Sequence, residues 1–167
     1  MPTTIRPETE SDSGTIHRVH AAAFETDAEA RLVDALRENS KLIVSLAAEL
    51  DGEIAGHIAF SPVTVNDADV GGIGLAPVAV LPAHQREGIG GALIRAGIDE
   101  CDRLGYGFIV LLGHPEYYPR FGFKKASDYK LDNEYGADDA FMAYEIKKGS
   151  IPNDGGLIKY ATEFAEL

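Results

Sequence analysis

Cysteine is nearly absent from this sequence of 167 residues, and tryptophan is absent altogether. The chain has one cysteine, Cys101, and no tryptophan. A single cysteine forms no intrachain disulfide and no multi-cysteine zinc site, and the five histidines include no His-x-x-x-His pair. We therefore expect that the protein binds no metal ion. We also expect it in a reducing compartment, the cytoplasm. Because Cys101 falls on the apolar side of a predicted helix, we expect a buried core thiol.

Long hydrophobic runs and basic charge are also scarce. The longest uncharged stretch, residues 70–83, is shorter than the roughly 20 residues of a membrane-spanning helix and is broken by Gly and Pro. The first residues lack the basic region and apolar run of a secretory signal. Asp and Glu number 27 against 15 Lys and Arg, so the net charge of −12 repels phosphates. We expect neither membrane nor nucleic acid as a partner; a homodimer stays open.

The remaining composition is that of an ordinary globular protein. Hydrophobic residues make up 45% of the chain and charged residues 25%. No repeat, low-complexity tract or polar linker divides residues 1–148. We therefore expect one domain over residues 1–148, followed by an appendage over residues 149–167. Apolar residues at 157, 160, 161 and 164 predict that this appendage contains a short helix packed on the same domain.

Hydrophobic spacing in the first third of the chain predicts a strand, two helices and a hairpin. The strand covers residues 3–6, and apolar side chains between Ile16 and Phe24 recur at helical spacing. Thr26 and Glu29 form a capping-box pair at the start of the second helix. Asp51-Gly52 stands between two apolar runs, and both positions of such a turn favour a positive φ. We therefore expect a β-hairpin there.

The rest of the sequence predicts alternating strands and helices. Strands are expected over residues 73–80, 108–112 and 141–146. The clearest helix of the chain follows Pro82, with Cys101 and Leu104 on its apolar side and Gly105 as its terminator. The apolar run at 108–112 is typical of a central strand covered on both faces. Pro77 donates no ladder hydrogen bond, which indicates a bulge or a partner strand that splays away. This order indicates an α/β fold with a mixed sheet.

A glycine-rich turn over residues 85–91 carries most of the chemical information. Gly88, Gly90 and Gly91 let a ligand approach the backbone, and a helix that begins there presents unpaired N–H groups to anions. Such a turn binds pyrophosphate, although the same glycines can serve only to pack the helix on the sheet. A Rossmann motif needs Gly or Ala where Leu93 stands, and no Walker A sequence is present. Nicotinamide binding and ATP hydrolysis are disfavoured.

Three segments together resemble the GNAT superfamily of N-acetyltransferases. Gln85-x-x-Gly88-x-Gly90 resembles the acetyl-CoA loop of that family, and the preceding residues 78–82 resemble its fourth strand. Residues 117–123, Tyr-Tyr-Pro-Arg-Phe-Gly-Phe, resemble its aromatic segment as found in small, poorly characterised bacterial acetyltransferases. The resemblance implies a GNAT-like three-layer α/β fold with a mixed, largely antiparallel twisted sheet that is splayed between strands 4 and 5.

The resemblance also implies acetyl-CoA as the co-substrate. The backbone of Val78 and Val80 would pair with pantetheine, and the Val78 N–H would polarise the thioester carbonyl. Amides of residues 86–91 would hold the pyrophosphate, with the Arg86 side chain as an ion partner. The implied cofactor-binding residues are Val78, Ala79, Val80, Gln85, Arg86, Glu87, Gly88, Ile89, Gly90, Gly91 and Tyr118.

The implied catalytic residues are Val78 and Tyr118. Tyr118 stands at the family's general-acid position, where a phenol would protonate the departing thiolate of CoA; the alternative is a buried aromatic residue with a satisfied hydroxyl. Tyr117 is expected in the core or against the cofactor. The base that takes the proton of the amine has several candidates, namely Glu49, His57, His114 and Glu116.

The resulting expectation is direct transfer of an acetyl group from acetyl-CoA to a primary amine, of a small molecule or a protein, in a ternary complex. The acidic composition leans towards cationic acceptors. Many relatives carry a Glu near the fourth strand, where this chain has the uncharged residues 74–80. That difference keeps open an alternative, a non-catalytic acyl-CoA sensor or partner-binding module.

Overall fold

The structure, a computed structural model, describes residues 3–166. The chain folds into two compact units. The first unit comprises Met1–Ser61, Ala76–Asp99 and Thr162–Leu167, and the second comprises Pro62–Leu75 and Glu100–Ala161. Within the described part of the chain, no helix has the length and apolarity needed to cross a bilayer.

The first unit contains strands in the order β1-β2-β3-β5. Their ranges are β1 Thr3–Pro7, β2 Val44–Leu50, β3 Glu53–Pro62 and the second half of β5, Gly72–Val80. Strands β1, β2 and β3 pair antiparallel. Between β2 and β3, Asp51 and Gly52 have φ values of 54° and 80°, the left-handed conformations that a two-residue hairpin turn needs. The predicted hairpin is confirmed.

Two helices of the first unit follow β1, namely α1 (Ser13–Ala23) and α2 (Ala28–Glu38). Their apolar faces share one buried cluster with the strands, formed by Ile16, Val19, Val33, Ala47, Ile54, Ala59 and Ala79. Both predicted helices are therefore confirmed.

The predicted capping box of α2 is wrong. The residue that caps the helix is Asp27, so Glu29 occupies the second helical position and not the third, from which its side chain would reach back to the cap. Thr26 accepts a hydrogen bond from the Ala28 amide at 3.2 Å, and Asp27 pairs with Arg31 at 3.1 Å. The first turn is stabilised by these two contacts.

The third helix, α3, covers Ile89–Arg103 and is terminated by Gly105, as the sequence predicts. Gly105 has a φ of 93°, and the Tyr106 amide donates to the Cys101 carbonyl at 3.0 Å, which together make a Schellman cap. The sequence predicts Leu104 on the apolar side of this helix, but it lies in the cap turn and is 43% exposed.

The second unit contains the first half of β5 and three further strands in the order β5-β6-β9-β7. They are β6 (Phe108–Leu112), β7 (Lys124–Lys125) and β9 (Phe141–Glu145). β5 runs parallel to β6, whereas β9 runs antiparallel to both β6 and β7. Residues 108–111 are all buried, which confirms the predicted central strand. The parallel and antiparallel pairings together confirm the mixed sheet.

The second unit also contains a small sheet that the sequence did not predict. It joins β4 (Thr64–Val65), β10 (Gly156–Lys159) and β8 (Leu131–Asn133). The expected helix that begins near Leu157 is wrong: that stretch forms β10, and a short 3-10 helix follows at Thr162–Glu166. Asn66 explains the strand, because its amide N–H and side-chain oxygen bond the Leu157 carbonyl and amide, both at 2.9 Å. The division into residues 1–148 and 149–167 stays a prediction.

Candidate active site

The glycine-rich turn joins β5 to α3 within the first unit. A short 3-10 turn, Pro82–His84, comes first, and Arg86 and Gly88 then take positive φ values of 68° and 84°. Left-handed residues in such a turn direct neighbouring N–H groups towards one side, where an anion binds. The side chain of Gln85 fixes the turn to the strand, because its amide donates to the Val80 carbonyl at 3.1 Å.

Gly88 marks the start of α3 and leaves open space in front of it. Its carbonyl accepts the first helical hydrogen bond, from the Ala92 amide at 3.1 Å. The amides of the following turn therefore have no acceptor within the helix and carry a partial positive charge. A Cβ at Gly88 would meet no protein atom within 4 Å, so close packing does not require glycine here, whereas the φ of 84° favours it.

Other glycines allow the close packing of α3 on the sheet. A Cβ at Gly97 would lie 2.4 Å from the Phe60 ring, and one at Gly56 would lie 3.1 Å from Ile89 and Leu93. Gly88 has no such neighbour at its Cβ position. The alternative explanation, in which the loop glycines only let the helix pack on the sheet, therefore does not account for Gly88. Its position suits a ligand.

The strand before the turn has two distinct faces. Ala79 is buried in the cluster formed with α1 and α2, whereas Val78 and Val80 are half-buried and point to the opposite face. The Leu81 amide fixes the end of β5 by donating to the Ala55 carbonyl of β3 at 2.8 Å. In the second unit, the pairing of β5 with β6 covers residues 72–74, and the peptide bond before Pro77 is cis.

Tyr118 lies at the start of a 3-10 turn, Tyr118–Phe121, in the second unit. It is 8% exposed, and its ring packs against the rings of Tyr117 and Phe123 at 5.1 and 5.9 Å. A Cβ at Gly113 would lie 2.3 Å from this ring, so only glycine leaves room for it. Burial raises the pKa of Tyr118 to about 12, which keeps the phenol protonated at neutral pH. The hydroxyl has no hydrogen-bond partner among residues 3–166.

Tyr117 is held by a neighbouring arginine. The Arg120 guanidinium lies 4.5 Å from the centre of the Tyr117 ring, and its Nε donates to the Tyr117 carbonyl at 2.9 Å. This arrangement is a cation–π contact reinforced by a hydrogen bond. It supports the expectation that Tyr117 packs rather than reacts.

The four candidate bases occupy very different surroundings. Glu49 forms an ion pair with Arg6, which also binds Asp12 at 2.7 Å. His114 and Glu116 are exposed in the second unit. His57 is fully buried in the first unit. The four candidates therefore differ in burial and in their partners.

His57 belongs to a buried chain of polar side chains that the sequence did not reveal, and we call it the Glu8–His20 chain. It bonds His20 of α1 at 2.8 Å and Ser45 of β2 at 2.7 Å. Ser45 in turn donates to Glu8, which also receives two hydrogen bonds from Arg37 at 2.8 and 2.9 Å. The available signal was a histidine, His20, on the apolar stripe of a helix.

The structure also bears on metals and nucleophiles. Among residues 3–166, no group of three or more His, Cys, Asp or Glu side chains is arranged to hold a metal ion. Cys101 is buried, as expected. Burial and the neighbouring Glu100 carboxylate raise the pKa of its thiol to about 12, so it is not a thiolate at neutral pH.

Comparisons with known proteins place these features in a family. Residues 4–126 match the family described as acetyltransferase (GNAT) domain. The chain is similar to YhbS of Escherichia coli strain K12, an uncharacterised N-acetyltransferase, with 36% identity over 162 residues that are 96% of this chain and 97% of YhbS.

Two solved structures are also similar to the chain. One is a crystal structure of the E. coli YhbS protein in complex with CoA, with a TM-score of 0.93 and 34% identity. The superposition covers 98% of this chain and 92% of the YhbS chain. A GNAT family acetyltransferase from Brucella melitensis, in complex with acetyl-CoA, has a TM-score of 0.83 and 40% identity and covers 98% of both chains.

Proposed function

The chain belongs to the GNAT family of acetyltransferases, and from that premise we propose that it transfers an acetyl group from acetyl-CoA to a primary amine by direct attack in a ternary complex. The observation that carries the proposal is the turn at Gly88, which pairs a helix N-terminus with open space. The CoA and acetyl-CoA bound to the two similar crystal structures support the same ligand for this chain.

In this proposal the residues of the first unit bind and polarise acetyl-CoA. The amides of residues 86–91 hold the pyrophosphate at the start of α3, with the Arg86 side chain as an ion partner. The backbone of Val78 and Val80 pairs with the pantetheine amides like an added strand. The Val78 N–H donates to the thioester oxygen as negative charge develops there.

The reaction forms a C–N bond and breaks a C–S bond. The amine nitrogen attacks the acetyl carbonyl carbon, and the CoA thiolate leaves and takes a proton from the Tyr118 hydroxyl. Because the pKa of Tyr118 is raised, the phenol carries its proton at neutral pH, as a general acid must. The acceptor is a primary amine of a small molecule or a protein, and we place the reaction in the cytoplasm.

Substitution at Gly88 tests the cofactor site, and Gly52 provides a matched control. Both glycines have a φ near +80° and open space at the Cβ position, so valine causes comparable backbone strain at either site. We expect Gly88→Val to weaken acetyl-CoA binding at least tenfold in calorimetric titrations, because the side chain blocks the approach of the pyrophosphate. Gly52→Val should bind like the wild type. Equal affinity in folded Gly88→Val protein would remove the turn from the site.

A further inference from the structure

Tyr135 is an exposed aromatic residue of the second unit that the proposed function does not use. It is 52% exposed and lies between β8 and β9, in the segment 132–139. We call this segment the acidic loop, because four of its eight residues are Asp or Glu and none is Lys or Arg. An exposed aromatic ring among carboxylates is well suited to contact with a cation.

The acidic loop is held in place by a buried side chain. The side-chain oxygen of Asn133 accepts hydrogen bonds from the Tyr135 and Ala137 amides at 2.9 and 3.2 Å, and its nitrogen donates to the Ala137 carbonyl at 2.7 Å. The backbone of Tyr135 is therefore fixed independently of its own side chain. A surface that is already ordered loses little conformational entropy when it binds a ligand.

A second tyrosine, Tyr160, supports the Tyr135 ring from behind. The centres of the two rings are 6.3 Å apart, and Tyr160 is buried. The Tyr160 ring lies over Gly74 of β5, because a Cβ at Gly74 would be only 2.7 Å from it. We call the two residues the Tyr135–Tyr160 pair. The pair has one exposed and one buried member, and a glycine in β5 makes room for it.

The Tyr135–Tyr160 pair lies where the pairing of β5 with β6 ends. Gly74 is the last residue of β5 that pairs with β6, and its partner is Val110. Val78, whose N–H is proposed to polarise the thioester, follows Gly74 by four residues. Four residues of extended chain span at most about 14 Å. The covalent chain therefore keeps Gly74 within this distance of Val78, a separation that the carbon chain of a diamine can span.

Tyr118 and the Tyr135–Tyr160 pair lie on opposite faces of the sheet. Side chains alternate along a strand, so the positions of Gly74, Val110 and Leu112 share one face and Gly113 is on the other. A Cβ at Gly113 would meet the Tyr118 ring, whereas one at Gly74 would meet the pair. Leu112 is 39% exposed and adds apolar surface to the face of the pair. An amine that approaches from this face leaves Tyr118 free to protonate the thiolate.

Carboxylates make the surroundings of the Tyr135 ring negative. Glu134 is exposed, and burial together with the Glu134 charge raises the pKa of the Tyr135 hydroxyl. Two lysines near the loop are already paired with aspartates, Lys125 with Asp139 at 3.0 Å and Lys159 with Asp67 at 2.9 Å. Because these aspartates offset the lysine charges, the ring lies in a region that favours a cation.

We propose that the Tyr135–Tyr160 pair and Glu134 bind a second cationic group of the acceptor, so that the substrates are alkyl diamines and polyamines. This inference rests on the proposed function. The reacting nitrogen must be uncharged when it attacks the acetyl carbon, so a charge held at Tyr135 belongs to another group of the same molecule. A lysine side chain of a protein carries one ammonium group, which reacts and leaves no charge for the pair.

Diaminooctane and octylamine provide a matched pair of probes, because they differ only in the second ammonium group. With the wild-type protein and acetyl-CoA, we expect kcat/KM per amino group to be about tenfold higher for diaminooctane. The difference should lie in KM, because the second ammonium contacts the protein equally in the ground state and the transition state.

Tyr135→Leu removes the aromatic ring and keeps an apolar side chain. We expect KM for diaminooctane to rise about tenfold, with kcat unchanged and the kinetics with octylamine unchanged. Tyr135→Phe keeps the ring and should behave like the wild type. Tyr106→Leu is the matched control: Tyr106 is a half-buried tyrosine with an acidic neighbour, Asp69, and it precedes β6 at the opposite end of the strand. It should leave both amines unaffected.

The comparison of the two amines separates recognition from a structural role. An unchanged KM for diaminooctane in Tyr135→Leu, or an equal loss with both amines, would overturn the inference. Faster acetylation of a lysine peptide than of any diamine would also overturn it.

Binding measured without turnover distinguishes failure of this inference from failure of the proposed function. In NMR titrations of the protein–CoA complex, diaminooctane should shift the amide signals of Tyr135 and Ala137 in the wild type and not in Tyr135→Leu. These shifts without acetylation of any amine would support the binding site and refute the proposed function. Amide signals of the acidic loop that stay in place in the wild type would overturn the inference.

Discussion

At the scale of single residues, Tyr118 is fixed by its ring, so its hydroxyl can be tested separately. Aromatic neighbours and Gly113 determine where the ring lies, and no described side chain binds the oxygen. Removing the oxygen therefore leaves the packing unchanged. This separation of packing from chemistry is what makes a single substitution informative.

We expect Tyr118→Phe to lower kcat by roughly 10²- to 10⁴-fold and to leave acetyl-CoA affinity almost unchanged. The physical reason is that the departing thiolate loses its proton donor, whereas the ring still fills its site. Steady-state kinetics and calorimetry measure the two quantities. Tyr117→Phe removes the hydroxyl from a ring that packs against Arg120, and it should lower kcat much less. Wild-type kcat in Tyr118→Phe would show that another group donates the proton.

Single residues also show how far the sequence could predict the site. The spacing of Gln85, Gly88 and Gly90 predicted an anion-binding turn, and the structure adds that Gly88 faces open space. The Glu8–His20 chain was not predicted, because its members are distant in sequence: 37 residues separate His20 from His57, and 37 separate Glu8 from Ser45. No local pattern connects such residues.

At the scale of elements, the Glu8–His20 chain joins α1 to β2, to β3 and to the residue that follows β1. Its contribution to stability depends on pH. His20 has a pKa near 6.5 when unfolded and about 3 in the fold, so the unfolded chain binds more protons between these values. The stabilisation from neutral His20 is complete above pH 6.5 and is lost as pH falls towards 3. Glu8 acts in the same direction, because its pKa is also lowered.

We therefore expect the free energy of unfolding to fall by up to about 1.4 kcal/mol per pH unit below pH 6.5 for the His20 contribution. Urea unfolding curves at pH 7, 6 and 5 measure it. His20→Gln should flatten this slope. Identical slopes in wild type and His20→Gln would contradict the burial of a neutral His20.

Elements with a strong local signal were predicted correctly, and those shaped by distant contacts were not. The hairpin at Asp51-Gly52, the cap of α3 at Gly105 and the apolar strand β6 each follow from their own residues. The strand at Gly156–Lys159 instead depends on Asn66, which is 91 residues from Leu157. Helical spacing could not reveal that pairing.

At the scale of the whole molecule, the chain carries a net charge of −12, yet its proposed cofactor is an anion. The turn at Gly88 resolves this contrast, because backbone amides and the dipole of α3 act at short range, whereas surface charge is screened beyond about 8 Å at physiological ionic strength. The same acidic surface favours the approach of a cationic amine.

The measurement that tests the central claim most directly is turnover of acetyl-CoA by the wild-type protein with a panel of amines. The panel contains polyamines, amino acids, aminoglycosides and a lysine peptide. CoA thiol release and the mass of the product are recorded together. We predict thiol release that depends on the amine and matches an N-acetylated product. Tight acetyl-CoA binding without acetylation of any amine would contradict catalysis and favour an acyl-CoA sensor.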